Sequence, residues 1–272
     1  MRPLPVRGAE VRGLGLPLPP ERMPLLHGRR PLKRWRYVGL YRPDLMLCVG
    51  EARVAGLPQR WWALAMPDGT LRERTTSGRG GIDLAAGRAR VDAGQVQIDL
   101  TLDEGPGVEV ASPSGGSWIW TRKQAPVRAR GNVRLGDREW AVDGEEAFVD
   151  ESAGYHARHT VWRWSAGIGR TVDGRSVAWN LVDGVHDADA HSERTVWVGG
   201  EPSEAPPATF AEDLSRVGEL AFTAWCARED HTRRLIFRSH YLQPFGSFRG
   251  ELPGGLRLES GHGVMEWHDV LW

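Results

Sequence analysis

The passage from Asp150 to Asn180, DESAGYHARHTVWRWSAGIGRTVDGRSVAWN, opens on an acid and holds one tyrosine, two histidines and three tryptophans. Neighbouring side chains of a strand point to opposite faces, so a Trp-rich hairpin with an acid and a tyrosine at its entrance reads as the wall of a ligand pocket. Trp162, Trp164, Trp179 and Asn180 are its candidate binding residues, with core packing as the competing reading for the tryptophans. The pattern points to a pocket rather than to a reaction. The chain has no GxSxG element, no defensible Ser-His-Asp order and no nucleotide loop, since the GRGG at residues 78–81 lacks a strand before it and a helix after it.

Other clusters invite a metal or an anion. His156 and His159 are three apart, so in an extended strand they face opposite ways and cannot chelate one ion together. His186, Asp187, Asp189 and His191 fall in a loop that could hold a divalent cation, though acidic loops are usually only solvated. Glu266 and His268 share a strand face near His262, where a solvated or core-satisfied pair is the expectation. No metal is assigned. The run Trp120, Arg122, Lys123, followed by Arg128 and Arg130, could greet a carboxylate or phosphate, or Arg122 and Lys123 could pair with acids such as Asp150 across two sheets.

Composition sets the bounds. Lys plus Arg and Asp plus Glu both number 35 in 272 residues, so no bulk charge draws the chain to nucleic acid or to an anionic membrane. The two cysteines, Cys48 and Cys226, stand alone in apolar runs and read as small buried hydrophobes. Nothing resembles a secretory signal or a membrane span, so a cytoplasmic location without stable membrane insertion is expected.

The elements that must position these residues are strands. Residues 1–32 carry scattered Pro and Gly and read as an extended arm. From Lys33 onward, short alternating runs such as KRWRYVGLY, RWWALAMPDG, QVQIDLTL, HTVWRWSAG and RLIFRSHYL recur between Gly, Pro and Asp breaks. Only Ala208 to Val217 offers a short helix, and a loop fits it as well. A Gly136-Asp137 turn places Leu135 opposite Arg138, Arg134 opposite Glu139 and Val133 opposite Trp140. A two-residue Asp173-Gly174 turn would set Ile168 opposite Trp179, with Trp162, Trp164, Ile168, Trp179 and Leu181 on one face and Arg163, Ser165 and Asn180 on the other. A bulge at Gly167 or Gly169 would shift this by one residue. The predicted fold is all-β with very little helix: two tandem antiparallel β-barrels over residues 33–140 and 141–272. The terminal VMEWHDVLW is expected to close a barrel strand.

The stretches KRWRYVGLY, WTRKQAPVRARG, VDESAGYHARHTVWRWSAG, AWNLVDGVHD, YLQPFGSFRGELPGG and GHGVMEWHDVLW together resemble a bacterial family catalogued as a domain of unknown function, family 2804. That family is similar in turn to the two-domain lipocalin-like (calycin) proteins that include carotenoid hydratases and tocopherol cyclase, through the element Asp150, Ser152, Gly154 followed by Trp162 and Trp164. The resemblance implies tandem lipocalin-like barrels and a hydrophobic ligand, and it makes Asp150 the candidate general acid, with Tyr155 or His159 to relay or orient the proton. A carboxylic acid in an apolar cavity keeps its proton because burial disfavours the charged form. The competing reading is a corner carboxylate capping a turn through the Ser152 and Gly154 amides. The first functional reading is therefore a binder of an apolar or lipid-like small molecule in a Trp-lined pocket. Its alternative is a hydratase, isomerase or cyclase on an isoprenoid-like substrate, with no cofactor. Neither reading fixes the oligomeric state.

Overall fold

Alternating apolar and polar residues build strands along nearly the whole chain, and with 66% strand against 3% helix the core has to lie on sheet faces. The structure is a computed structural model and describes residues 3–233 and 237–272. One antiparallel sheet runs in the order Leu71–Thr76, Leu57–Ala65, Met46–Val54, Lys33–Tyr41, Arg138–Gly154, Ser117–Leu135, Val96–Asp103, Arg88–Ala93 and Ile82–Ala85. Val108–Ser114 also pairs with Ser117–Leu135 and carries the short strand Val6–Arg7 on its other side. The second sheet runs Glu201–Glu204, Thr195–Val198, Ser176–Asp183, His159–Thr171, Leu256–Leu271, Arg238–Leu252, Leu220–Arg233 and Arg216–Val217. Among the described residues both are open paths of strands, with no ladder joining their outer edges.

The expected division at residue 140 falls inside a hairpin of the first sheet. Arg138–Gly154 pairs with Ser117–Leu135 on one side and Lys33–Tyr41 on the other, and the chain changes sheets between Gly154 and His159. The N-terminal segment, expected as an extended arm, packs on the first sheet. It forms a 3-10 helix over Gly8–Leu14 and buries Val11, Leu14, Leu18 and Met23 against Trp120, Ala153 and Tyr155. Ala208 to Val217 makes no helix and ends in a bridge between Phe210 and Val217. No helix among the described residues is long and apolar enough to cross a membrane.

Three layers of apolar packing follow from strand alternation. One face of the first sheet encloses Val38, Leu47, Trp62, Ile98, Val133 and their neighbours. Its other face, through Tyr37, Cys48 and Phe148, meets Trp164, Ile168, Phe245 and Val264 of the second sheet. The far face of the second sheet buries Trp179, Leu181, Phe222, Phe248 and Met265.

The Gly136-Asp137 hairpin has the expected register, with Leu135 opposite Arg138 and Val133 opposite Trp140. The second hairpin is shifted by one. Its turn holds three residues, Val172, Asp173 and Gly174, closed by a 3.0 Å bond from the Thr171 amide to the Arg175 carbonyl, with Gly174 at φ +83°. Trp179 therefore faces Gly167 rather than Ile168, and Trp164 faces Val182 rather than Asp183. A slip of one residue exchanges faces. Trp179 and Leu181 go to the far core, while Ala178, Asn180 and Val182 join Trp164 between the sheets.

Candidate functional site between the sheets

Between the two sheets, lined by residues of both, a cavity of about 210 Å³ opens, more than a single water fills. The first sheet supplies a row across three strands: Lys123 lies opposite Asp150, and Asp150 opposite Tyr37. The second sheet supplies another, Val182 opposite Trp164 and Trp164 opposite Glu266, with Tyr241 opposite His268 farther along. All of these residues line the cavity, as do Trp35, Trp61, Trp162, His156, His186, Glu193 and the terminal Trp272. Trp35 and Trp162 come from opposite sheets, and their rings lie within 7° of parallel with centroids 6.4 Å apart. The last strand, Leu256–Leu271, is central to its sheet. The Trp272 amide ties it to the Arg158 carbonyl at 2.9 Å.

The charges fall into two groups. In the first, the Lys123 ammonium stands 2.6 Å from Asp150 and 3.3 Å from Glu193, all three buried. Two carboxylates against one ammonium leave an excess negative charge. Burial and Glu193 together hold Asp150 above the usual carboxylate range against the pull of Lys123. Lys123 also joins the sheets, because Glu193 sits on the segment leading into the Thr195–Val198 strand of the second.

Glu266 forms the second group. Its Oε1 accepts a 2.8 Å hydrogen bond from the Trp162 indole, and its Oε2 accepts from the Tyr241 hydroxyl at 3.0 Å and the Gln243 amide at 3.1 Å. Neutral donors support a carboxylate less than a cation does, and burial pushes this carboxyl up to about 7. The result is an acid poised between its two forms near neutral pH, in a cavity walled by tryptophan.

Several polar atoms on the cavity wall lack partners. His156 is buried with neither ring nitrogen hydrogen-bonded, and His186 uses Nδ1 on the Ser112 hydroxyl at 2.8 Å while its Nε2 has none. The Trp61 indole N–H is also unpaired. Buried polar groups are normally satisfied, so such orphans mark places where a ligand's own polar atoms belong. Burial keeps both imidazoles neutral, His156 well below its ordinary range and His186 lowered to about 3. Lys33, its Nζ 4.7 Å over the Trp272 ring, is brought down to about 8 by burial and by Arg30 and Arg158.

Of the residues singled out from sequence, Asp150, Lys123, Trp162 and Trp164 line the cavity. Asn180 stands behind it, accepting from the Trp164 indole at 2.7 Å and donating to the Glu193 carbonyl at 2.9 Å. The other five point elsewhere. Trp120 and Arg122 are an odd number of residues from Lys123 on a strand and so take the opposite face, where Trp120 donates to Glu109 and Arg122 grips Glu151. Tyr155 is set apart from Asp150 by the same parity and donates to the Pro24 carbonyl at 2.8 Å. His159 is on the outer surface with Asp269, 2.7 Å away. Trp179 was carried to the far core by the register shift.

Sequence reasoning passed over Glu266, Tyr241 and Glu193. The shared strand face of Glu266 and His268 was legible, but nothing local showed that it looks into a cavity. The histidine clusters disperse: His156 is buried in the cavity and His159 is exposed, while Asp187 accepts from the Gly184 amide.

A model of the family described as Domain of unknown function (DUF2804) matches residues 70–272, and the chain belongs to that family. No curated protein matches its sequence. Among solved structures it is similar to a protein provisionally assigned as AttH from Nitrosomonas europaea, at 13% identity and a TM-score of 0.47, covering 92% of this chain and 97% of that one. Kievitone hydratase from Nectria haematococca gives 9% identity and a TM-score of 0.48, with 88% of each chain covered. CghA with Sch210972 gives 10% identity and 0.43, again over 88% of each.

Proposed function

We propose that this member of the DUF2804 family binds an apolar, oxygen-bearing small molecule between its two sheets and catalyses proton transfer on it without a cofactor, as a hydratase, isomerase or cyclase does. The observation that carries this reading is Glu266, a buried carboxyl near pH 7 held by uncharged donors in a tryptophan-walled cavity. A passive carrier has no use for such an acid, whose desolvation costs stability. Proton transfer does, because a group half protonated at working pH serves as both donor and acceptor.

Asp150, the acid expected from sequence, is bound to the Lys123 ammonium at 2.6 Å. Its role in this reading is to hold Lys123 and set the field of the cavity, and Glu266 takes the role of general acid. When Glu266 is protonated, the Tyr241 hydroxyl can turn from donor to acceptor, so the exchangeable proton stays in the cavity. The indole planes of Trp35 and Trp162 would hold the ligand's apolar body, and the free nitrogens of His156 and His186 its oxygen atoms. We also read each sheet as a lipocalin-like barrel wall. This accords with Trp62 near one edge of the first sheet and Ile82 and Val91 near the other sharing one core.

The test is native mass spectrometry of the protein purified from its own host, with organic extraction of what it holds, followed by incubation of the extracted compound with wild type and with Glu266→Gln. Conversion by wild type and retention without conversion by the variant is the expected result. Equal behaviour of the two, with the compound bound and unchanged, would leave a carrier.

A further inference from the structure

We propose that Glu229, His231 and His240 bind one divalent transition-metal ion of the zinc type on the outer face of the second sheet, independently of the reaction proposed above. The strand Leu220–Arg233 pairs with Arg238–Leu252 so that His231 stands directly opposite His240. Glu229, two residues before His231, shares its face. His231 Nε2 is 2.7 Å from Glu229 Oε1, and His240 Nε2 is 3.6 Å from the same oxygen. The two imidazole centroids are only 3.7 Å apart, and all three ligand atoms lie within 4.8 Å of one another.

A tetrahedral zinc ion with bonds near 2.0–2.2 Å holds its donors ~3.4 Å apart, so small side-chain rotations would seat it. Two imidazoles and a carboxylate suit Zn²⁺, Ni²⁺ or Cu²⁺, whereas Mg²⁺ and Ca²⁺ take oxygen ligands. The two imidazoles, tilted 38° to each other, both stand beside one carboxylate oxygen, an arrangement that a bound cation would bridge. His240 is also braced: the Trp267 ring meets it edge-on at 4.6 Å, and Asp269 stands opposite it on the next strand.

The site has a direct route to the cavity. The neighbours Asp230 and Tyr241 form the next pair along the same two strands and point inward to line it, and Tyr241 holds Glu266. An ion on the outer face would therefore pin together the two strands that carry one cavity wall.

The experiment is calorimetric titration of Zn²⁺ into the metal-free full chain, alongside His231→Ala, His240→Ala and a control at a separate exposed histidine, His27→Ala. The side chains of Glu229, His231 and His240 are 54%, 59% and 39% exposed, so these replacements leave the core intact. The expected result is one ion per chain at about micromolar Kd or tighter, weakened at least about tenfold by either site variant and not by the control. Zn²⁺ should raise the melting temperature of wild type but not of His240→Ala, and should shift the imidazole NMR signals of His231 and His240. Millimolar affinity, several ions per chain, or binding indifferent to His240→Ala overturns the proposal.

Discussion

The Tyr241 hydroxyl donates a 3.0 Å hydrogen bond to Glu266 Oε2 inside the cavity between the sheets. That bond favours the carboxylate, so it holds the Glu266 carboxyl down at about 7 against a burial that would carry it higher. Replacing Tyr241 by Phe removes the donor and leaves the ring. A hydrogen bond to a charged group contributes about 1.5–3 kcal/mol, so the titration midpoint of Glu266 should rise by about one pH unit or more. Carboxyl infrared absorption across pH 5 to 9 measures it directly, and a midpoint that stays put or falls refutes the assignment.

The buried imidazoles make the fold acid-labile. His186 and His268 are lowered to about 3 and His156 well below its ordinary range, all by burial. Below the unfolded value near 6.5 the unfolded chain binds protons that the folded one refuses, so stability falls as pH falls, by up to about 1.4 kcal/mol per pH unit for each imidazole. Glu266 opposes this, because its raised folded value lowers stability as pH climbs from about 4.5 to about 7, and Asp150, also held above the usual carboxylate range, acts in the same direction. Unfolding at pH 5 should take up protons net, since the three imidazoles outnumber the two raised carboxyls, and the urea midpoint should be lower there than at pH 7.5. A midpoint equal or higher at pH 5 would contradict the neutral imidazoles.

Gly167 owes its identity to the Trp179 ring, since a Cβ there would stand 2.1 Å from the indole. Its backbone conformation is open to any residue, so the cost of Gly167→Ala is steric alone, about 1–3 kcal/mol for overpacking a filled core. Trp179→Phe should recover part of that loss in the double variant although it destabilises by itself. A double-mutant cycle by urea denaturation reads the coupling, and strict additivity would show that the two do not meet.

That same Gly167–Trp179 pair shows what the sequence could and could not carry. Alternation and turn residues gave the strands and, for Gly136-Asp137, the register, because both signals are local. At Asp173-Gly174 the choice between a two- and a three-residue turn depends on Thr171, whose hydroxyl and amide both engage the turn, and that choice moved Trp179 out of the site. Lys123 was singled out together with Trp120 and Arg122, although parity along their strand sets it on the other face, and its pairing with Asp150, expected across two sheets, joins neighbouring strands of one. The meeting of Asp150 with Glu193 and of Trp162 with Glu266 was not readable, since those residues are 43 and 104 positions apart: the stacking of the two sheets joins the first pair, and the pairing of His159–Thr171 with Leu256–Leu271 joins the second.

Lys123 is the remaining lever on both stability and the site. It is 3% exposed and lies between Asp150 and Glu193. Those two partners hold its ammonium above the ordinary lysine range although burial opposes them. Lys123→Met keeps the side-chain length but strands two buried carboxylates, and removing one partner of a buried ion pair typically costs about 3–5 kcal/mol. The sign with pH follows from which form is stranded. Without the ammonium nothing offsets the burial that already holds the Asp150 carboxyl high, so the penalty should be smallest below pH 5 and grow toward pH 8. Adding Asp150→Asn to Lys123→Met removes one of the stranded charges and should restore part of the loss at pH 8, while contributing little at pH 5. Guanidinium denaturation of the two variants at both values decides it. A Lys123→Met penalty that does not depend on pH would mean that packing, rather than charge, is what Lys123 contributes.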